Sequence, residues 1–191
     1  MKSTLKLAIV LTIWSVIACS ALALVNSFTA PIIETHTKQK ITKALEEIFP
    51  EGTSNTDILS ELTSNEKTIK FDNAFLVKSD NETLGVVITA TGPTFNKATI
   101  MVGVQVDGKI KTIKFINLTD SKGIGTKVLE EPFVSQFDGK DTSDEFKLRA
   151  DVENISTATV SSKGVTEIVK TISQASLKYL QDNNLFIKEA K

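Results

Sequence analysis

Residues 7–25 are apolar almost without interruption, and no charged residue occurs between Lys6 and Glu34. A helix of that apolar length covers roughly 30 Å, the hydrocarbon thickness of a bilayer. The run predicts a transmembrane anchor over 1–30. Lys2 and Lys6 precede it and Glu34 follows it, so the positive-inside rule predicts a cytoplasmic N-terminus and an extracytoplasmic main domain. Two other fates of the segment stay open. It could be a cleaved signal peptide, although such peptides need only about 7–15 apolar residues. It could also be a lipoprotein leader, because residues 16–19 read Val-Ile-Ala-Cys and Cys19 would be the lipidated residue. All three put residues beyond about 30 on the same side of the membrane.

Past the anchor the apolar period changes. Pro31 marks a junction, and Ile41, Ala44, Leu45 and Ile48 then recur at helical spacing, which predicts a juxtamembrane helix within 31–50 that ends before Pro50. Residues 51–68 are rich in Thr, Ser, Asn and Glu, and predict a polar loop with a short helical turn over 58–62. From residue 74 the spacing is that of strands: 74–78 and 84–91 flank a turn at Asp80 and Asn81. Ala98, Ile100, Val102, Val104 and Val106 then alternate with Thr99, Met101, Gly103 and Gln105. Asp107 and Gly108 separate that strand from a returning one over 109–117, a hairpin signal that calls for positive φ at both turn residues. Residues 128–137 predict a short helix and 147–150 a further strand. Val165, Ile168, Val169, Ile172, Ala175, Tyr179 and Leu180 form the stripe of a closing amphipathic helix. The pattern as a whole is α+β: an N-terminal transmembrane helix, then an antiparallel-sheet domain over 51–191 with flanking helices.

Two polar segments interrupt this scaffold. The loop before the 128–137 helix carries Gly123, Gly125, Thr126 and Lys127, and a Gly-x-Gly of this kind fits either a ligand-binding loop or a plain tight turn. The turn before the closing helix holds Ser156, Thr157, Thr159, Ser161 and Ser162 around the small Ala158. Hydroxyls at that place satisfy helix-start N–H groups, with Ser161 or Ser162 as the expected N-cap. They would equally line a phosphate site, since a helix start offers free donors and a positive dipole end.

Composition narrows the chemistry. The single cysteine lies in the apolar run, so the main domain can have neither an internal disulfide, a Cys-ligated metal, nor a cysteine nucleophile. The single histidine, His36, leaves no His cluster and argues against a Ser-His-Asp triad. A net charge of −1 with both signs scattered gives no basic patch for nucleic acid. A domain so poor in reactive side chains binds something or carries a cofactor.

Residues 153–159, Glu-Asn-Ile-Ser-Thr-Ala-Thr, resemble a covalent flavin attachment motif, Asp-x-x-Ser-Gly-Ala-Thr, whose last Thr carries FMN through a phosphoester bond. Ser156, Ala158 and Thr159 match it, while Glu153 replaces Asp and Thr157 replaces Gly. With the anchor, the hairpin, the Gly-x-Gly-Thr-Lys loop, Glu131-Pro132-Phe133 and Phe137, the chain is similar to the FMN-binding component shared by two ion pumps. These are the G subunit of the Rnf complex and the C subunit of the sodium-pumping NADH:quinone reductase, and the short chain favours the first. Members often carry Glu-Thr-Pro-Gly ahead of the second loop glycine, where this chain has Thr119-Asp120-Ser121-Lys122-Gly123. The resemblance implies covalent FMN at Thr159, contacts from Ser156, Thr157, Ala158, Ser161, Ser162, Gly123, Gly125, Thr126 and Lys127, and no metal. It also implies an electron carrier without independent catalysis, part of an ion-translocating ferredoxin:NAD+ oxidoreductase. Such a carrier works in a bacterial cell membrane with the other Rnf subunits after loading by a flavin transferase. A non-redox, membrane-anchored binding domain is the competing reading.

Overall fold

The computed structural model describes residues 2–62, 66–80 and 82–187, without the side chains of residues 2–4. Contacts divide the chain into two units, 1–40 and 41–191.

In the first unit every described side chain is exposed along α1 (Lys2–Ile48), which is long and apolar enough to cross a membrane. Pro31 lies inside α1 and does not end it. A single proline removes one backbone donor, and the flanking bonds carry the helix through. Thr29, Thr35 and Thr37 return their hydroxyls to carbonyls of their own helix, as threonines in apolar helices do.

The second unit is built on a five-stranded antiparallel meander in the order β1 (Ser54–Asp57), β2 (Lys70–Ser79), β3 (Glu82–Pro93), β4 (Lys97–Gln105) and β5 (Ile110–Leu118). The four residues of β1 are all exposed. It is a polar edge strand that pairs by backbone alone where the sequence predicts loop, because side-chain periodicity does not register a strand with no buried face. The helical turn expected over 58–62 is present as a 3₁₀ turn, Leu59–Glu61. β2 begins four residues before the expected start, across a register shift between Phe71 and Asn73. The turn between β2 and β3 has Asp80 at φ 46°, and Asn81 lies outside the described residues.

Both faces of the sheet are buried. Ile88, Ile100, Val102 and Val104 pack with Val165, Ile168, Val169, Ile172 and Leu180 of the closing helix α3 (Thr159–Asp182). Val77, Val87, Met101 and Ile116 on the opposite face meet Ala44, Leu45, Ile48 and Phe49. Gly103 makes that second layer possible: a Cβ there would stand 2.2 Å from Ile48 Cγ2. Each fully buried Ile or Val in these layers is worth about 1.5–3 kcal/mol of transfer free energy.

The β4–β5 hairpin forms with a longer turn than the Asp-Gly pair predicts. Gly108 N–H donates to the Gln105 carbonyl at 3.0 Å, and only Gly108, at φ 82°, takes positive φ. This is a four-residue turn closed by a left-handed glycine. The helix expected over 128–137 breaks into a 3₁₀ turn (Gly125–Leu129), α2 (Glu131–Val134) and a second 3₁₀ turn (Ser135–Phe137). Pro132 is tolerated only in a first turn, so it forces a fresh helix start. No strand forms over 147–150: Phe146 and Arg149 have φ of 51° and 69°. The Lys147 carbonyl accepts from Ala150, Asp151 and Val152, leaving an isolated bridge between Leu148 and Val152.

Candidate functional site

α3 starts at Thr159, with Ala158 in the N-cap position and no side-chain cap. Ser161 and Ser162 are therefore not N-caps, contrary to expectation. They lie in the first turn, and both are buried. Ser162 Oγ accepts the Ile155 N–H at 3.3 Å, while Ser161 Oγ donates to Asp120 Oδ2 at 2.5 Å. Ser161 is engaged by Asp120 and Ser162 by the preceding turn, and the capping place falls to Ala158, which has no side-chain oxygen to offer. Ser162 N–H makes the first helical bond, to the Ala158 carbonyl. The N–H groups of Thr159, Val160 and Ser161 take no acceptor among the described residues, which leaves three donors at the positive end of a helix dipole.

A cavity of about 320 Å³ opens at this helix start. Its walls are the 156–161 turn, Ser121, Ile124 and Gly125 from the glycine loop, and Phe95 from the β3–β4 connection. Phe95, Ile124 and Val160 are 59%, 54% and 58% exposed, an apolar rim contributed by three separate segments. Thr159 is exposed on the same wall. Asn154 Nδ2 donates to its Oγ1 at 3.3 Å, and that hydroxyl donates at 3.5 Å to the Ser156 carbonyl. Both contacts are long, so the oxygen stays available. Asn154 Oδ1 is buried without a partner among the described residues.

The glycine loop divides between wall and scaffold. Gly125 lines the cavity, and a Cβ on it would stand 2.5 Å from Asp120 Cβ and 3.0 Å from Ser161 Oγ. Only glycine allows that approach. Gly123 turns the chain at φ 77° in open space, and its N–H is taken by Thr126 Oγ1 at 2.9 Å. Neither Gly123 nor Thr126 lines the cavity. Lys127 reaches the hydroxyl turn from the side, with Nζ 3.3 Å from Thr157 Oγ1.

Sequence reasoning did not single out Asp120, Phe95, Ile124, Val160 or Asn154 as site residues. Asp120 is buried and collects four donors: Thr94 Oγ1 at 2.6 Å, Asn96 N–H at 2.8 Å, Phe95 N–H at 3.3 Å and Ser161 Oγ. Burial pushes its carboxyl up, and the bonds from Ser161, Thr94, Asn96 and Phe95 outweigh that and hold it below the usual carboxylate range. The available signal was its place directly ahead of the Gly-x-Gly loop. Phe95 gave none, being a lone aromatic in a connection.

The chemistry of this lining suits FMN. A flat, largely apolar ring system finds Phe95, Ile124 and Val160, a phosphate finds three N–H groups without an acceptor among the described residues and Lys127 nearby, and the exposed Thr159 hydroxyl lies on the same wall.

A family model described as an FMN-binding domain matches residues 96–174, and one described as the RnfG N-terminal region matches residues 1–48. The G subunit of the Na(+)-translocating ferredoxin:NAD(+) oxidoreductase complex of Acetobacterium woodii is 28% identical, over 86% of this chain and 87% of that one. The G subunit of the ion-translocating oxidoreductase complex of Pseudomonas aeruginosa is 25% identical, over 75% of this chain and 71% of that one. The crystal structure of Shewanella oneidensis NqrC is similar over 62% of this chain and 72% of that chain, with a TM-score of 0.49 and 19% identity. An RnfG-type N-terminal region thus precedes an FMN-binding domain in this chain, and the helix start, hydroxyl turn and glycine loop of that domain surround one cavity.

Proposed function

We propose that this chain is the membrane-anchored electron-transfer component of an Rnf-type ion-translocating oxidoreductase, with FMN tethered through its phosphate to Thr159. The observation that carries the reading is the exposed Thr159 hydroxyl at an uncapped helix start, on the rim of a cavity with an apolar mouth. Bound flavin supplies one-electron redox chemistry. The chain's residues do the rest. Phe95, Ile124 and Val160 offer apolar surface to the ring, the first-turn N–H groups and Lys127 offset phosphate charge, and α1 keeps the domain at the membrane.

Thr159 Oγ1 has no base within hydrogen-bond reach among the described residues, so its activation requires an external enzyme. With FAD as donor and a flavin transferase as catalyst, Oγ1 attacks the phosphorus on the FMN side. The bond to the bridging oxygen breaks, AMP leaves, and the hydroxyl proton passes to a base on the transferase. The placement of Lys2 and Lys6 ahead of the anchor favours an extracytoplasmic domain that meets other subunits of the complex there.

Peptide mass spectrometry of the chain co-expressed with such a transferase tests this directly. The expected FMN adduct maps to Thr159, disappears in Thr159→Ala, and persists in part in Thr159→Ser. An adduct on Ser156, Thr157 or Ser161 would move the attachment site, and no adduct on any residue would end the covalent reading.

A further inference from the structure

We infer that Asp120 is a positioning residue whose buried negative charge lowers the reduction potential of flavin held in the adjoining cavity. The inference rests on the proposed function and deepens it.

Asp120 sits behind two walls of the cavity at once. Its carboxylate accepts from the backbone N–H of Phe95 and from the hydroxyl of Ser161, and both residues line the opening. The remaining donors, Thr94 Oγ1 and Asn96 N–H, belong to the β3–β4 connection that carries Phe95. One side chain therefore ties that connection, the glycine loop and the first turn of α3 together, and Gly125 is stripped to hydrogen beside it.

A neutral amide or hydroxyl could accept bonds from the same walls, so the charge itself needs a reason. Burying an ionised carboxylate is costly unless a cation or a set of dipoles compensates. Here the compensation is by dipoles: two hydroxyls, two backbone N–H groups and the nearby positive end of α3. No Lys or Arg pairs with Asp120 among the described residues. Dipoles reduce a field but leave the net charge in place, and a carboxylate in a partly dry site acts over a longer distance than one in water. A flavin in the cavity takes up each electron against that charge, so its reduced states are disfavoured and its potential falls. Removing one stabilising dipole while keeping the charge should increase the effect.

The two substitutions therefore have opposite signs. In flavin-loaded protein at pH 7, spectroelectrochemical titration of Asp120→Asn should give a midpoint potential above wild type, and Ser161→Ala one below it. A distorted cavity would not produce opposite shifts from neighbouring substitutions. Equal potentials in wild type and Ser161→Ala, or shifts of one sign in both variants, overturn the assignment. Should Asp120→Asn fail to fold or load, the Ser161→Ala shift alone decides, because that substitution removes one hydroxyl and leaves the carboxylate in place. A wild-type chain that takes no flavin ends the functional reading. A loaded wild-type chain whose potential ignores both substitutions ends only the role given to Asp120.

Discussion

Gly125 and Asp120 approach so closely that a Cβ on the glycine would lie 2.5 Å from the Asp120 Cβ. Neither atom belongs to a flexible side-chain end, so any larger residue must displace the loop or the carboxylate. The Asp120–Ser161 bond is the first casualty, since the same Cβ would also crowd Ser161 Oγ at 3.0 Å. Gly125→Ala should therefore destabilise by about 1–3 kcal/mol, the usual cost of overpacking, and should open the cavity. Gly123→Ala meets nothing within 4 Å and suffers only from φ 77°, a cost of about 1–2 kcal/mol. Urea unfolding measures both. Loss of stability alone in Gly123→Ala, and loss of stability together with flavin loading in Gly125→Ala, is the expected contrast.

Asp120 also gives the fold a pH dependence with a definite sign. Its folded pKa lies below the unfolded value, because the four donors prefer the charged form by more than burial opposes it. Its contribution is therefore complete at neutral pH, above the unfolded pKa. It is lost as the pH drops from about 4 downward through the folded pKa. Asp141 is lowered as well, by the Ser143 side chain and backbone N–H, so it shares the acid limb. Replacing Asp120 by Asn should reduce stability at pH 7 and make the decline between about pH 5 and 3 shallower without abolishing it. Denaturant midpoints across that range check this, and an unaltered slope would mean that the carboxylate titrates alike in both states.

The contrast between β4 and β1 explains what the sequence reveals. Strand β4 alternates apolar and mixed residues over many positions, and the period that reveals it is the same period that buries Ile100, Val102 and Val104. β1 buries nothing and is held by backbone bonds, so no side-chain rule detects it. The second sheet layer was hidden for another reason. Met101 and Gly103 do not look like a core face until Ile48 is known to sit on it. The hydroxyl turn and the glycine loop were legible as chemistry, because few other segments offer any. Asp120 and Phe95 were not, since burial and shared partners across 26 and 25 positions are properties of the fold.

Thr157 occupies the place where the attachment motif has Gly, and Lys127 Nζ stands 3.3 Å from its hydroxyl. Thr157 is exposed and Lys127 half-buried, and the bond itself is open to solvent, so its net worth is well under the roughly 1.5–3 kcal/mol of a protected hydrogen bond to a charged group. Its consequence is positional: the ammonium group is drawn to a hydroxyl two residues from Thr159 and is partly committed before any phosphate arrives. Thr157→Gly removes that acceptor, frees Lys127, and takes a branched side chain off the cavity wall, at a backbone-entropy cost of about 0.5–1 kcal/mol. Flavin loading, measured as the adduct fraction in the intact mass after co-expression with a transferase, should equal or exceed that of the wild type. Lys127→Ala should lower it in both backgrounds, because a cation beside the hydroxyl turn is then lost. A fall in loading on Thr157→Gly would instead make the threonine hydroxyl itself part of the recognised surface, and the match to the motif would have to be redrawn around it.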